Sequence, residues 1–267
     1  MKDSHPDSFF EVRELRKELG NHSVLNGLNL DIPRGKNTVI LGRSGEGKSV
    51  LLKLLLGLIR PDSGRVVADG TDITHLNERQ LGPIRKKIGI LFQNGALFDS
   101  LTIAENVVFP LMEEGVKDRR VLLEKAEEVL ELVGLDEHMG KMPNHISGGM
   151  RKRVALARAI ITRPKCILYD EPTAGLDPVM ADSINHLIRR LAREFKITCV
   201  IVTHDIKSMN HIADTVAILR SGRIYFEGTP EELECSEDLS IQHFIQGISG
   251  ERLASAQKRL PGSRQIS

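Results

Sequence analysis

The chain has 267 residues, 40% of them hydrophobic, with 37 basic and 36 acidic side chains and a formal net charge of +1. That length buries a full core as one large or two small domains, and the balanced charge excludes bulk binding to nucleic acid. Cys166, Cys199 and Cys235 form no C-x-x-C pair, which disfavours a structural zinc or disulfide framework and suits a reducing compartment.

In chain order, apolar or alternating runs at 9–12, 24–32, 37–41, 64–67, 88–92, 166–169, 198–202, 215–219 and 223–226 predict strands. Runs of helical period separate many of them, so the fold class is α/β: a parallel, helix-covered sheet with an antiparallel layer built from the amino-terminal strands. The stretch 121–133 places apolar residues at 122, 126, 129, 130 and 133 with acids opposite, a helical face inside an insertion of about 94–158. Residues 1–230 form the main domain, and 231–267 an extension whose apolar segment at 241–248 seeks a partner surface. The basic runs 85–87 and 151–153 read as solvated faces. The start MKDSHPDSFF lacks a charged-then-apolar leader, and the apolar run 50–59, broken by Lys53, is far short of the roughly 18 residues a bilayer span needs.

Four segments carry chemistry. Gly42-Arg43-Ser44-Gly45-Glu46-Gly47-Lys48-Ser49 fits G-x-x-x-x-G-K-[ST] between a predicted strand and a helix, the context of a phosphate-binding loop. Its glycines let backbone N–H groups face phosphates, Lys48 reaches the β- and γ-phosphates, and Ser49 ligates Mg2+. The run 166–169 ends in Asp170 and Glu171, two carboxylates at a strand's carboxyl end, where α/β sheets bind ligands. Asp170 suits the Mg2+ shell and Glu171 the attacking water. Ile146-Ser147-Gly148-Gly149-Met150 opens a basic, Ala-rich helix, and Thr203-His204-Asp205 follows an apolar strand. The plain alternatives are a Gly-rich turn, a solvated acidic strand end and a core histidine.

The order of these motifs closely resembles the ATPase subunits of ABC transporters, over roughly residues 8–230. The resemblance implies a P-loop NTPase (RecA-like) core with an antiparallel β layer and an inserted helical subdomain. It makes Gln93 the Q-loop glutamine at the γ-phosphate and metal, Ser147 to Met150 the signature, Asp170 and Glu171 the Walker B pair, Ala174 to Asp177 the D-loop, and His204 the switch histidine. The family's signature faces the γ-phosphate bound by the other subunit, so the resemblance implies a homodimer with two ATP molecules sandwiched head to tail, inactive as a monomer. Leu19 stands where relatives carry an adenine-stacking aromatic, and Ile146 and Met150 replace the usual Leu and Gln of the signature.

The stretch Leu91-Phe92-Gln93-Asn94-Gly95-Ala96-Leu97-Phe98, with Met150 and Phe244-Ile245-Gln246-Gly247-Ile248, is similar to ATPases of Mla/Mce-type lipid transport systems. That branch implies a peripheral subunit on the cytoplasmic face of a bacterial inner membrane. Its partners would be an integral-membrane permease, a periplasmic MCE-domain lipid-binding protein and a small cytoplasmic regulatory subunit. ATPases of amino-acid or other small-solute importers share the catalytic motifs, and a soluble ABC ATPase of an assembly or repair complex is the alternative of another class.

Overall fold

The computed structural model describes residues 7–246. Its strands are β1 (Ser8–Leu19), β2 (His22–Pro33), β3 (Asn37–Leu41), β4 (Ser63–Ala68), β5 (Thr71–Asp72), β6 (Ile88–Leu91), β7 (Cys166–Asp170), β8 (Thr198–Thr203), β9 (Thr215–Arg220) and β10 (Arg223–Gly228). The helices are α1 (Lys48–Leu55), α2 (Glu78–Arg85), α3 (Ile103–Glu113), α4 (Arg119–Leu132), α5 (Gly148–Ile160), α6 (Pro178–Phe195), α7 (Ile206–Ile212), α8 (Pro230–Glu234) and α9 (Leu239–Ile245).

The central sheet has the order β10-β9-β3-β8-β7-β6, parallel except for its antiparallel edge strand β10. Strand periodicity divides its side chains between two cores. Val39, Leu41, Ile167, Tyr169, Cys199 and Ile201 face a cluster shared with α3 to α6. Ile40, Cys166, Leu168, Val200 and Val202 face the other cluster, filled by α1 and by a second, antiparallel sheet of order β2-β1-β4-β5. A parallel sheet covered on both faces needs strands that are apolar throughout, which is why β3 and β8 are buried at every position. Burial pushes the thiols of both core cysteines up, that of Cys199 to about 12, so neither is a nucleophile.

The insertion between β6 and β7 is helical. On α4 the buried side is Leu122, Ala126, Val129 and Leu130, continued by Val133, the face the sequence predicts. Capping boxes at Asn77 and Thr102 start α2 and α3, and Asp118 caps α4. Gly89 on β6 allows a close approach: a Cβ there would lie 2.5 Å from the Ala159 carbonyl oxygen of α5.

Three sequence expectations are revised. Strand β1 runs to Leu19, because a bulge at Glu14 (φ 46°) shifts the register and lets Val12 and Leu15 both point inward. The segment after residue 230 folds back on the same core: Leu233 and Ile241 are buried, with Phe244 and Ile245 packed against them. Gly247 and Ile248 lie outside the described residues. The basic runs are solvated only in part, at Lys86 and Arg151. Arg85 donates to the carbonyls of Leu56 and Gly57, Lys87 pairs with Asp69, and Lys152 is buried.

Asp69, itself at φ 47° after β4, gathers three cations from distant parts of the chain: Arg34 at 2.5 Å, Lys87 at 2.7 Å and Lys165 at 3.2 Å. Burial works against its charge, but the hydrogen bonds from Lys87, Arg34 and Lys165 outweigh it and hold the carboxyl well below the usual carboxylate range. A depressed folded-state pKa contributes stability that is present above the unfolded value and lost as pH falls through the folded one. Asp69→Asn is expected to lower the unfolding free energy by about 2 kcal/mol at neutral pH. In urea titrations that difference should narrow steadily below about pH 4.

Candidate active site

Strand β3 delivers the chain at Leu41 into the loop 42–47, and α1 begins at Lys48. Gly47 is the N-cap in the left-handed region (φ 100°) with no side-chain cap, so the first amides of α1 are left for a ligand. A Cβ at Gly47 would also lie 2.9 Å from Val24 Cγ1, so only glycine fits the turn. Buried Lys48 donates to the carbonyls of Gly42 (2.7 Å) and Arg43 (3.1 Å), folding its ammonium under the loop. Arg43, Ser44 and Gly45 form the exposed crest. Glu46 accepts a hydrogen bond of 2.6 Å from the Ser221 amide, which ties the loop to the turn between β9 and β10.

Strands β7 and β8 place the acidic end beside this loop. Ser49 Oγ donates to Asp170 Oδ1 at 3.2 Å, and Lys48 Nζ lies 3.5 Å from Glu171 Oε1. Burial pushes the Asp170 carboxyl above its ordinary range and the Glu171 charge adds to this, while the Ser49 hydrogen bond and Lys48 oppose it. Glu171 is buried, sits at φ 48°, and has its amide bonded to the Val202 carbonyl (2.9 Å). Its carboxylate accepts from Thr203 Oγ1 at 3.1 Å, and His204 Nδ1 stands 3.0 Å from both of its oxygens. The exposed His204 ring thus bridges from a buried carboxylate to solvent. A buried carboxylate held by a histidine and set beside a glycine-rich loop has the geometry that general-base chemistry requires.

Gln93 follows β6, with an exposed side chain. Its backbone is anchored by a residue the sequence reading left on a solvated face. Lys152 of α5 donates to the Gln93 carbonyl and, at 3.4 Å, to the Glu171 carbonyl. Burial holds the Lys152 pKa below its ordinary value, against the pull of Asp170 and Glu171. One turn and a half further along α5, Arg158 donates to the carbonyls of Gly95 and Ala96, each at 2.7 Å. The signal was present in the sequence: Lys152 shares a helical face with Ala155, Leu156 and Ala159, all buried. Thr203 stood in a named motif but received no role of its own, since nothing in the sequence shows that its hydroxyl meets Glu171.

Ser147 is the N-cap of α5 and accepts from the Met150 amide at 3.2 Å, with Gly148 and Gly149 in the first turn. Asp177 is the N-cap of α6, its carboxylate accepting from the amides of Val179 and Met180 at 3.0 Å. Among the described residues, no hydrogen bond or salt bridge joins residues 147–150 or Asp177 to the loop 42–49. One chain therefore assembles Lys48, Ser49, Asp170, Glu171 and His204, and leaves the signature elsewhere on its surface.

The ABC transporter family model matches residues 25–174, more than half of the chain. The intermembrane phospholipid transport system ATP-binding protein MlaF of Haemophilus influenzae is 39% identical over 91% of this chain and 92% of its own. The methionine import ATP-binding protein MetN of Rhizobium johnstonii is 42% identical over 81% of this chain and 60% of its own. A dimeric ATP-binding cassette in a post-hydrolysis state, bound to ADP and Pi, superposes with a TM-score of 0.76 at 33% identity, covering 83% of this chain and 98% of that one. The phosphate loop, the paired carboxylates, the two-sheet architecture and this family match together place the chain in the ABC transporter family, as an ATP-binding and ATP-hydrolysing subunit.

Proposed function

We propose that this chain is the motor of a lipid transporter, moving phospholipid between the inner membrane and a periplasmic MCE-domain protein. The observation that carries this reading is the match to MlaF, 39% identical over 91% of this chain and 92% of its own. Among the described residues no helix is long and apolar enough to cross a membrane, so the motor needs a partner that has one. An apolar groove lined by Phe92, Phe98, Phe109 and Pro110, directly after β6, supplies a docking surface for a permease segment beside Gln93. The motor sits peripherally on the cytoplasmic face of the membrane, with a small regulatory subunit as a further partner.

The reaction is hydrolysis of the γ-phosphate of ATP. The loop amides and Lys48 hold the β- and γ-phosphates, and Glu171 takes a proton from the attacking water, oriented by His204 and Thr203. Ser49 and Asp170, in contact with each other, and the side-chain carbonyl oxygen of Gln93 would hold Mg2+, which would neutralise charge on the phosphates. Residues 147–150 and Asp177, remote from the loop within one chain, serve the nucleotide of a second copy in a head-to-tail homodimer. At the start of α5 the Gly148 and Gly149 amides precede the capped Met150 amide and face that nucleotide's γ-phosphate.

Glu171→Gln is expected to keep ATP binding and to lower turnover by about two orders of magnitude, measured by phosphate release and by equilibrium nucleotide binding. Lys152→Met removes the donor to two carbonyls at once and should lower kcat by about tenfold while moving the ATP Kd little; an equal loss in both would assign it to folding alone. The cargo is tested by purifying tagged Glu171→Gln protein from native membranes in mild detergent with ATP. Recovery of a multispan permease with an MCE-domain protein and bound phospholipid supports the lipid reading. A permease with a soluble solute-binding protein assigns an importer, and a complex without a membrane partner assigns a soluble ATPase.

A further inference from the structure

Away from the nucleotide site, α6 and α7 bring three metal-ligating side chains together. Asp182 and His186 stand one turn apart on α6, and His211 lies near the end of α7. Asp182 Oδ2 is 3.5 Å from His186 Nε2, and Asp182 Oδ1 is 3.6 Å from His211 Nδ1. A ligand atom from each of the three residues lies within 4.8 Å of the other two. We propose that these residues form a transition-metal site, with Zn2+ as its cation, that staples α6 to α7.

The two separations, each to a different Asp182 oxygen, also match the edges of a coordination tetrahedron. Donors about 2.0–2.2 Å from a tetrahedral zinc lie about 3.3–3.6 Å from one another, the spacing of both aspartate–histidine pairs here. The third edge, between the two imidazoles, closes by side-chain rotation, since His186 and His211 are both exposed. Two imidazoles with one carboxylate select a borderline cation such as Zn2+, whereas Mg2+ prefers the all-oxygen set at Ser49 and Asp170. The backbone is held for the purpose: Arg189 of α6 donates to the His211 carbonyl at 2.9 Å, fixing the end of α7 over the other two ligands. Three protein ligands leave one tetrahedral position for water or for a side chain from a partner.

The site has a mechanical position. Helix α6 starts at Asp177, at the end of the loop 174–177, and α7 starts at Asp205, next to His204. A buried hydrogen bond already links the two helices, from Asn185 Nδ2 to Ser208 Oγ (2.9 Å), and the same hydroxyl meets Thr173 Oγ1 of the loop after β7 (3.2 Å). A cation held by His211, three residues beyond Ser208, adds a second link between α6 and the short helix that follows His204.

The test is calorimetric titration of Zn2+ into untagged, nucleotide-free protein with excess Mg2+ to fill the oxygen site, repeated with His186→Asn/His211→Asn and with Cys235→Ser. The expected result is one Zn2+ per chain, weakened by about tenfold or more in the double histidine variant and unchanged in Cys235→Ser. Hydrogen exchange of the α7 amides should slow with Zn2+ in the parent protein and not in the double variant. Both histidines are exposed, so the variant is expected to fold. Equal Zn2+ affinity in parent and double variant, or no binding by the parent, overturns the site. Loss of binding in Cys235→Ser reassigns it to the thiol and overturns it as well.

Discussion

The site depends on a register. Parallel pairing sets Leu41 beside Thr203 and Asp170 beside Val202, so β3, β8 and β7 end together and release their loops at one edge. The Glu171 amide closes that edge by bonding to Val202. A slip of one residue would swing each side chain of the shifted strand to the other face, exchanging residues between two differently shaped cores and moving Asp170 away from Ser49. The catalytic arrangement is thus fixed by backbone hydrogen bonds and two hydrophobic cores rather than by the polar groups themselves.

Those polar groups are arranged under electrostatic tension. Asp170 and Glu171 are adjacent carboxylates in a partly buried site, and the only ammonium in salt-bridge range of either, among the described residues, is that of Lys48. Lys152 contributes from the opposite side, through the Glu171 carbonyl rather than its carboxylate. A cation or a phosphate entering such a site meets groups already desolvated and oriented, so little reorganisation is needed when charge moves.

Much of this was legible in the sequence. Gly42, Gly47, Lys48 and Ser49 declare themselves by spacing, and Asp170 and Glu171 by their place at the end of an apolar run. The α4 face at 122, 126, 129 and 130 followed from period alone. What was not legible shares a cause: residues whose role is set by tertiary contact. The bulge at Glu14 replaces the strand interval of two with an interval of three between Val12 and Leu15, which hides half of β1 from an alternation test. Lys152 sits in a basic run, and only its helical phase separates it from its solvated neighbours. The apolar residues of α9 gave no sign of whether they cover their own core or another chain's.

The bond from Ser221 to Glu46 ties the phosphate loop to the β9–β10 turn. On β10, Tyr225 passes its hydroxyl hydrogen bond to Asp238, the cap of α9, at 2.6 Å. Arg220 lies over the same Tyr225 ring. From Glu46 of the loop to the cap of α9 the path consists of two hydrogen bonds joined by the β9–β10 hairpin. A load applied to α9 therefore reaches the loop 42–47 through the same hairpin, so the carboxyl-terminal helices share a lever with it.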